Sequence, residues 1–262
     1  MEKIITLVTD FGMIDPFVAS MKGVILEINK EAQIIDVTHQ INPFDLHRAA
    51  FLVSNYYKFF PEGTIHVLVV DPGVGSDRRA LIVKSEKYFF IAPDNGILSY
   101  IYNCENIEYS IAIDMEKDCY FKKKVSATFH GRDIFAPVAA RLSLGVPPEE
   151  MGTCIYDMIK LNLPTVTVLE DQVIGEIIYI DGFGNALTNI TENLFRENIG
   201  GKFELHFHDI IIDKIARSYS EVPLTGTGAI FSSEGYLEIF SNQGNFAREK
   251  DVMIGETVII QK

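Results

Sequence analysis

The chain has 262 residues, 47% hydrophobic and 23% charged, with 23 Lys+Arg against 36 Asp+Glu and a formal charge of −13. This composition excludes a disordered chain, and the acidic balance argues against a nucleic-acid binder or a partner at an anionic membrane surface. At about 100–200 residues per domain, the length fits one large domain or two modest ones.

No run approaches the ~18 apolar residues of a membrane span, and Asp10 interrupts the opening segment before a signal-peptide core could form. Ile4–Val8 reads as a buried strand that ends at Asp10. Asp15-Pro16 then predicts an N-cap with proline at the first helical position, and Phe17, Val18, Met21, Val24, Ile25 and Ile28 follow at helical spacing. Ile34-Ile35 restarts a strand ending at Asp36, and a helix through Leu46–Tyr57 leads to the strand Thr64–Val70, which ends at Asp71. A strand pair, Ala80–Lys84 and Tyr88–Ala92, ends just before Asp94, and Asp133–Leu144 reads as a further helix stopped by Gly145 and Pro147-Pro148. Alternating helices and near-continuous apolar strands predict an α/β domain with a largely parallel central sheet.

From about Asn162 the pattern changes to short β runs: Val173–Ile180, Lys202–Phe207, Ile210–Asp213, Ala229–Phe231, Tyr236–Phe240 and Thr257–Ile260. No strong helix is expected among them, only a turn near Asn193. This predicts a smaller antiparallel β-barrel-like domain, with the first domain over residues 1–165 and the second over 170–262. Cys104, Cys119 and Cys154 have no Cys-x-x-Cys spacing and are odd in number, so reduced thiols and a cytoplasmic location are expected.

Asp10, Asp36, Asp71 and Asp94 each lie at or just after a strand end. Open α/β sheets bind ligands beyond the carboxyl ends of their strands, so the four predict a carboxylate-rich crevice, although any one of them can simply cap a turn. Asp71-Pro72-Gly73-Val74-Gly75-Ser76-Asp77-Arg78-Arg79 lacks the Gly-Lys-Ser/Thr ending of a phosphate loop; its glycines let a ligand approach the backbone and its arginines can orient the carboxylate. Phe129-His130-Gly131-Arg132-Asp133 puts a histidine at a helix start, where the positive end disfavours imidazolium. Asp36 with His39, and His206 with His208 on one strand face, do not complete a metal set, and neither metal nor cofactor is expected. Asp181-Gly182-Phe183-Gly184-Asn185 and Ser232-Ser233-Glu234-Gly235-Tyr236 open tight loops in the β half.

Taken with Thr9-Asp10-Phe11-Gly12, Asp36-Val37-Thr38-His39, Ala92-Pro93-Asp94-Asn95-Gly96 and Gly235-Tyr236-Leu237-Glu238-Ile239, these motifs resemble the S-adenosyl-L-methionine hydroxide adenosyltransferases. These are adenosine-forming S-adenosyl-L-methionine (SAM) hydrolases related to fluorinase and chlorinase. The resemblance implies a homotrimer, with SAM between the N-terminal domain of one subunit and the C-terminal domain of a neighbour. It implies Asp71, Arg78 and His130 as the water-activating set, with Arg79 competing for the arginine role. It further implies Asp10 on the ribose diol, Phe183 and Tyr219 stacking on adenine, Asp181 and Ser233 on the methionine amino-acid group, and Phe44 and Asn185 in the pocket. Ser232 and Glu234 depart from the family's loop wording. The reaction so implied is hydrolysis of SAM to adenosine and methionine by in-line attack of water on ribose C5′. Two other readings are a SAM-dependent halogenase and a non-catalytic SAM or adenosine sensor. Fluorinase-like members carry hydroxyl residues where this chain has Asp71 and Gly131, and a sensor would not require the Asp71, Arg78 and His130 set.

Overall fold

The computed structural model describes residues 4–122 and 124–262, so Met1–Lys3, where the opening segment begins, lie outside the described residues. The chain divides into two units, Met1–Leu161 and Asn162–Lys262.

The first unit is built on seven strands, β1 (Ile4–Thr9), β2 (Gln33–Thr38), β3 (Ile65–Val69), β4 (Ala80–Ser85), β5 (Phe89–Pro93), β6 (Ile107–Ile113) and β7 (Gly152–Ile155), in the order β2-β1-β3-β5-β4-β6-β7. The pairs β2-β1, β1-β3 and β3-β5 are parallel, and β4 and β7 run against the other five strands. Five strands pointing one way give the predicted α/β sheet, with its antiparallel pairs gathered at one side. Alternate residues explain the apolar runs. Ile5, Leu7, Ile65, Val67, Val69 and Ile82 face one core, while Val8, Leu68, Leu81 and Val83 face another. Helices cover both faces, as such strands require. Helices α1 (Phe17–Ile28) and α4 (Ala136–Ser143) pack on the first face, and α2 (Leu46–Tyr56) and α3 (Ser99–Cys104) on the second. Asp15 does not cap α1; Pro16 occupies the cap position with no side-chain bond, and the helix begins at Phe17. A π-helical turn, Gly131–Phe135, precedes α4 where a regular helix is expected from Asp133.

The second unit contains β8 (Thr167–Val168), β9 (Gln172–Ile180), β10 (Ala186–Thr191), β11 (Glu204–Phe207), β12 (Ile210–Ile212), β13 (Thr227–Phe231), β14 (Tyr236–Ser241) and β15 (Thr257–Gln261). The path β12-β11-β15-β9-β10-β14-β13 is antiparallel throughout, and a bridge from Ile215 to Ala229 nearly joins its two ends. The inward residues, among them Val173, Ile177, Leu205, Leu237, Ile239 and Val258, form the barrel core. The expected turn near Asn193 is instead a helix, Glu192–Asn198, because Thr191 caps it by accepting the Leu194 N–H. Among the described residues no helix is long and apolar enough to cross a membrane. All three cysteines are free thiols on the surface.

Candidate active site

In the first unit, the carboxyl ends of β1 and β3 deliver Asp10 and Asp71 to one cavity of about 250 Å³, which Phe44 and His130 also line. Arg78 stands behind the wall. Its Nε donates to both Asp71 oxygens at 2.9 and 3.0 Å, and its Nη2 donates to Asp71 Oδ2 as well. The same Nη2 lies 2.7 Å from His130 Nδ1. Both side chains of the pair are largely out of water, Arg78 9% and Asp71 6% exposed. A guanidinium has only donors, so Nδ1 accepts and the proton of a neutral His130 ring sits on Nε2. Burial, and then the Arg78 charge, hold His130 below its ordinary range and keep the ring neutral.

Two loops meet to make this arrangement. Gly75, in the loop carrying Asp71 and Arg78, has φ +79, and a Cβ there would lie 2.3 Å from the Ala127 carbonyl oxygen. Asp133 anchors the second loop from within, fully buried, accepting the Ser126 N–H and the Arg132 guanidinium. Opposite, Asp10 Oδ2 accepts the Phe44 N–H at 2.9 Å, and Phe44 adopts the left-handed φ of +68. A phenylalanine held in that region is strained, as residues at ligand sites often are. Burial raises the Asp10 carboxyl, with Asp71 adding to the rise against the Phe44 bond.

The crevice holds two of the four expected aspartates. Asp36 turns to Lys22 at 2.5 Å and lies 3.0 Å from His39 Nε2. Asp94 is buried and takes Arg79 and the Ile159 N–H. Arg79 therefore points away from Asp71, and it also binds Asp157. His39 has a local structural part: its Nδ1 meets Thr9 Oγ1 at 2.8 Å and its carbonyl accepts the Gly12 N–H, fixing the turn that presents Asp10. His206 and His208 do not share a strand face, because His208 lies past the end of β11 at φ +52.

In the second unit, Asp181, Phe183, Asn185 and Tyr219 line one cavity of about 500 Å³. Asp181 organises its hairpin turn, accepting the Phe183 and Asn185 N–H groups and the Asn185 side-chain amide. Ser241 lines the same cavity, and its hydroxyl is buried without a hydrogen-bond partner among the described residues. Ser233 is exposed, bonded to Glu234, and not among the lining residues. Glu238, not singled out from the sequence, accepts the Tyr219 hydroxyl at 2.8 Å.

The comparisons agree across nearly the whole chain. The model of the SAM hydroxide adenosyltransferase N-terminal domain matches residues 5–152, and that of the C-terminal domain matches 175–259. An (R)-S-adenosyl-L-methionine hydrolase of Thermus thermophilus is 34% identical, covering 92% of each chain. One of Methanocaldococcus jannaschii is also 34% identical, over 94% of this chain and 90% of its own. A fluorinase of an Actinoplanes strain is 26% identical, over 99% and 97%. The crystal structure of an uncharacterized conserved protein from Thermotoga maritima superposes with a TM-score of 0.91 at 33% identity, covering 98% of this chain and all of that one.

Proposed function

The chain belongs to the SAM hydroxide adenosyltransferase family, and from that premise we propose that it hydrolyses S-adenosyl-L-methionine to adenosine and L-methionine. The observation that carries the reading is the Asp71–Arg78–His130 network, which presents a carboxylate and a ring N–H to the same cavity. A water between them donates one hydrogen to Asp71 and accepts the His130 Nε2–H. Its oxygen attacks ribose C5′ as the C5′–sulfur bond breaks, and the bonding pair leaves on sulfur, turning the sulfonium into neutral thioether methionine. The departing group needs no proton, so a positioned water, an acceptor and a fixed ribose suffice. Asp71 takes the proton in this scheme. Arg78 cannot accept one, and His130 already spends its Nδ1 lone pair on Arg78.

Asp10 is assigned to the ribose diol and Phe44 to the adjoining wall. Phe183 and Tyr219 are assigned to adenine stacking, Asn185 to the wall of the same cavity and Asp181 to the amino-acid group; Ser233, which lies outside that cavity, would join the amino-acid group only by leaving Glu234. The acidic lining suits a substrate with a net positive charge. A cavity of 250 Å³ is below the ~300–1,000 Å³ usual for ligand sites. We infer that the first unit of one subunit meets the second unit of a neighbour in a homotrimer in the cytoplasm, with no cofactor.

The test is incubation with SAM in ¹⁸O-water. Adenosine labelled at the 5′-oxygen, with unlabelled methionine, is expected. Binding without product would leave a sensor, and a 5′-halogenated nucleoside formed with added halide would make it a halogenase. For the assembly, mixing inactive Asp71→Ala and Asp181→Ala chains through a denature–refold cycle should restore part of the turnover. No recovery would remove the shared site.

A further inference from the structure

We propose that Glu238 is a positioning residue for the aromatic wall of the second cavity, holding the Tyr219 ring in place through its hydroxyl. The proposal rests on the functional reading of that cavity and deepens it. On β14, Leu237 and Ile239 enter the barrel core, so the alternation of a strand puts Glu238 and Phe240 together on the opposite face. Tyr219 sits on a three-residue turn, Tyr219–Glu221, between β12 and β13. It meets both of those side chains: its ring stands edge-on to Phe240, with centroids 4.8 Å apart, and its hydroxyl reaches Glu238 Oε1. The ring is thereby fixed at two points while 44% of the residue remains exposed toward the cavity.

A core packing role does not require a carboxyl at this position. Glu238 is 3% exposed, and among the described residues no lysine or arginine bonds to it. The charged groups that face it are acidic: Asp181 from the β9–β10 turn and Glu234 from the β13–β14 turn. The flanking strands β10 and β13 carry no titratable side chain, and the short helix Phe246–Glu249 brings Arg248 and Glu249, the latter tied to Asn245. Burial foremost, then Asp181 and Glu234, push Glu238 up to about 7, against the Tyr219 bond. Burial and the Glu238 carboxyl push Tyr219 upward, so it remains a hydroxyl donor. Near neutrality the carboxyl therefore exchanges between two forms. The ionised form makes the stronger, charge-assisted bond to Tyr219. A cationic substrate favours that form, so substrate binding and proton release are linked, whereas neutral adenosine gains much less from the ionisation.

The experiment compares wild type, Glu238→Gln, Glu238→Ala and Tyr219→Phe from pH 6 to 8.5. Losing the bond should raise KM for SAM about tenfold in Glu238→Ala and Tyr219→Phe, with the loss falling on KM rather than kcat. Glu238→Gln keeps an acceptor for the hydroxyl, so it should match wild type near pH 6 and miss the fall in KM that wild type shows above pH 7. A second readout needs no turnover and stands even if SAM is not the substrate. In protein carrying ¹³Cζ-tyrosine, the Tyr219 signal, identified by its loss in Tyr219→Phe, should titrate near pH 7 in wild type and stay flat in Glu238→Gln. An unchanged KM in Glu238→Ala, or a wild-type Tyr219 signal that does not titrate near 7, overturns the proposal. Absence of SAM turnover in wild type with a titrating Tyr219 signal overturns the functional reading alone. Should Glu238→Ala fail to fold, Glu238→Gln and Tyr219→Phe carry both readouts.

Discussion

Replacing Gly75 by alanine should disable the proposed catalytic network without touching any of its members. At φ +79 an L side chain strains the backbone by about 1–2 kcal/mol. The larger effect is displacement. The new Cβ would lie 2.3 Å from the Ala127 oxygen, where a carbon–oxygen contact needs roughly 1 Å more, and backbone atoms cannot rotate aside as a flexible side chain can. The loops carrying Arg78 and His130 must then part by about that amount. The Arg78 Nη2 to His130 Nδ1 contact, now 2.7 Å, would exceed hydrogen-bonding range. A misplacement of about 1 Å is worth about a hundredfold in rate. The expected result is a kcat about a hundredfold below wild type, by adenosine release from SAM, in a protein whose circular dichroism spectrum is unchanged. Gly63→Ala is the control, since Gly63 has φ +84 but open space around its Cβ. It carries the backbone strain without the displacement, so it should lose stability and keep its rate. A folded Gly75→Ala chain with kcat within threefold of wild type would refute the argument that the contact between the loops sets the network.

The pH profile of kcat should place its acid limb below 6.5, since burial and Arg78 hold the His130 ring neutral. Protonation of Nδ1 would break the Arg78 bond, so activity is kept above the depressed value and lost as pH falls through it; an acid limb centred above 6.5 would contradict that sign. Arg79→Ala should separate stability from catalysis: it strips Asp94 of its cation and frees the Asp157 segment. With Asp94 left buried without its cation and Arg79 itself about a third exposed, the loss should be about 1–3 kcal/mol, seen as a melting temperature several degrees lower, while SAM turnover stays within twofold. A tenfold loss of turnover would mean that Arg79 acts in the site after all.

What the sequence made legible follows from which interactions are local. The α/β half could be read because both sheet faces are covered, which turns strands such as Ile65–Val69 into unbroken apolar runs. The helix at Glu192–Asn198 was hidden by its seven-residue length, too short for periodicity, although Thr191 was a cap signal. The crevice was legible in outline only, because four aspartates end strands and spacing does not tell which of them meets a cation. Lys22 comes to Asp36 from another element, α1, and neutralises it, while Arg79 and Arg78, adjacent in the chain, part to Asp94 and Asp71. Glu238 was visible as a charge between apolar neighbours in Tyr236–Phe240, but its partner lies nineteen positions away in a turn without periodicity.

The geometry of the Asp71–Arg78 pair also bears on why water rather than halide is expected. A halide ~4 Å from a bare carboxylate would be repelled by roughly 4 kcal/mol at an effective dielectric of ~20. Arg78 lies on that carboxylate, and a guanidinium ~6 Å from the halide returns about 3 kcal/mol of attraction. Charge alone then disfavours halide by only about tenfold. The stronger discrimination comes from the proton: water becomes a competent nucleophile only if a neighbour accepts its hydrogen, whereas a halide needs no acceptor. Asp71→Asn tests the proton account through hydrolysis. It removes the whole ~4 kcal/mol repulsion and leaves the Arg78 attraction, so halogenation can rise by up to about a thousandfold whichever account holds. If Asp71 takes the water proton, hydrolysis should fall by at least a hundredfold, with labelled SAM and excess chloride as the assay. Hydrolysis surviving in the asparagine variant would show that the proton leaves by another route.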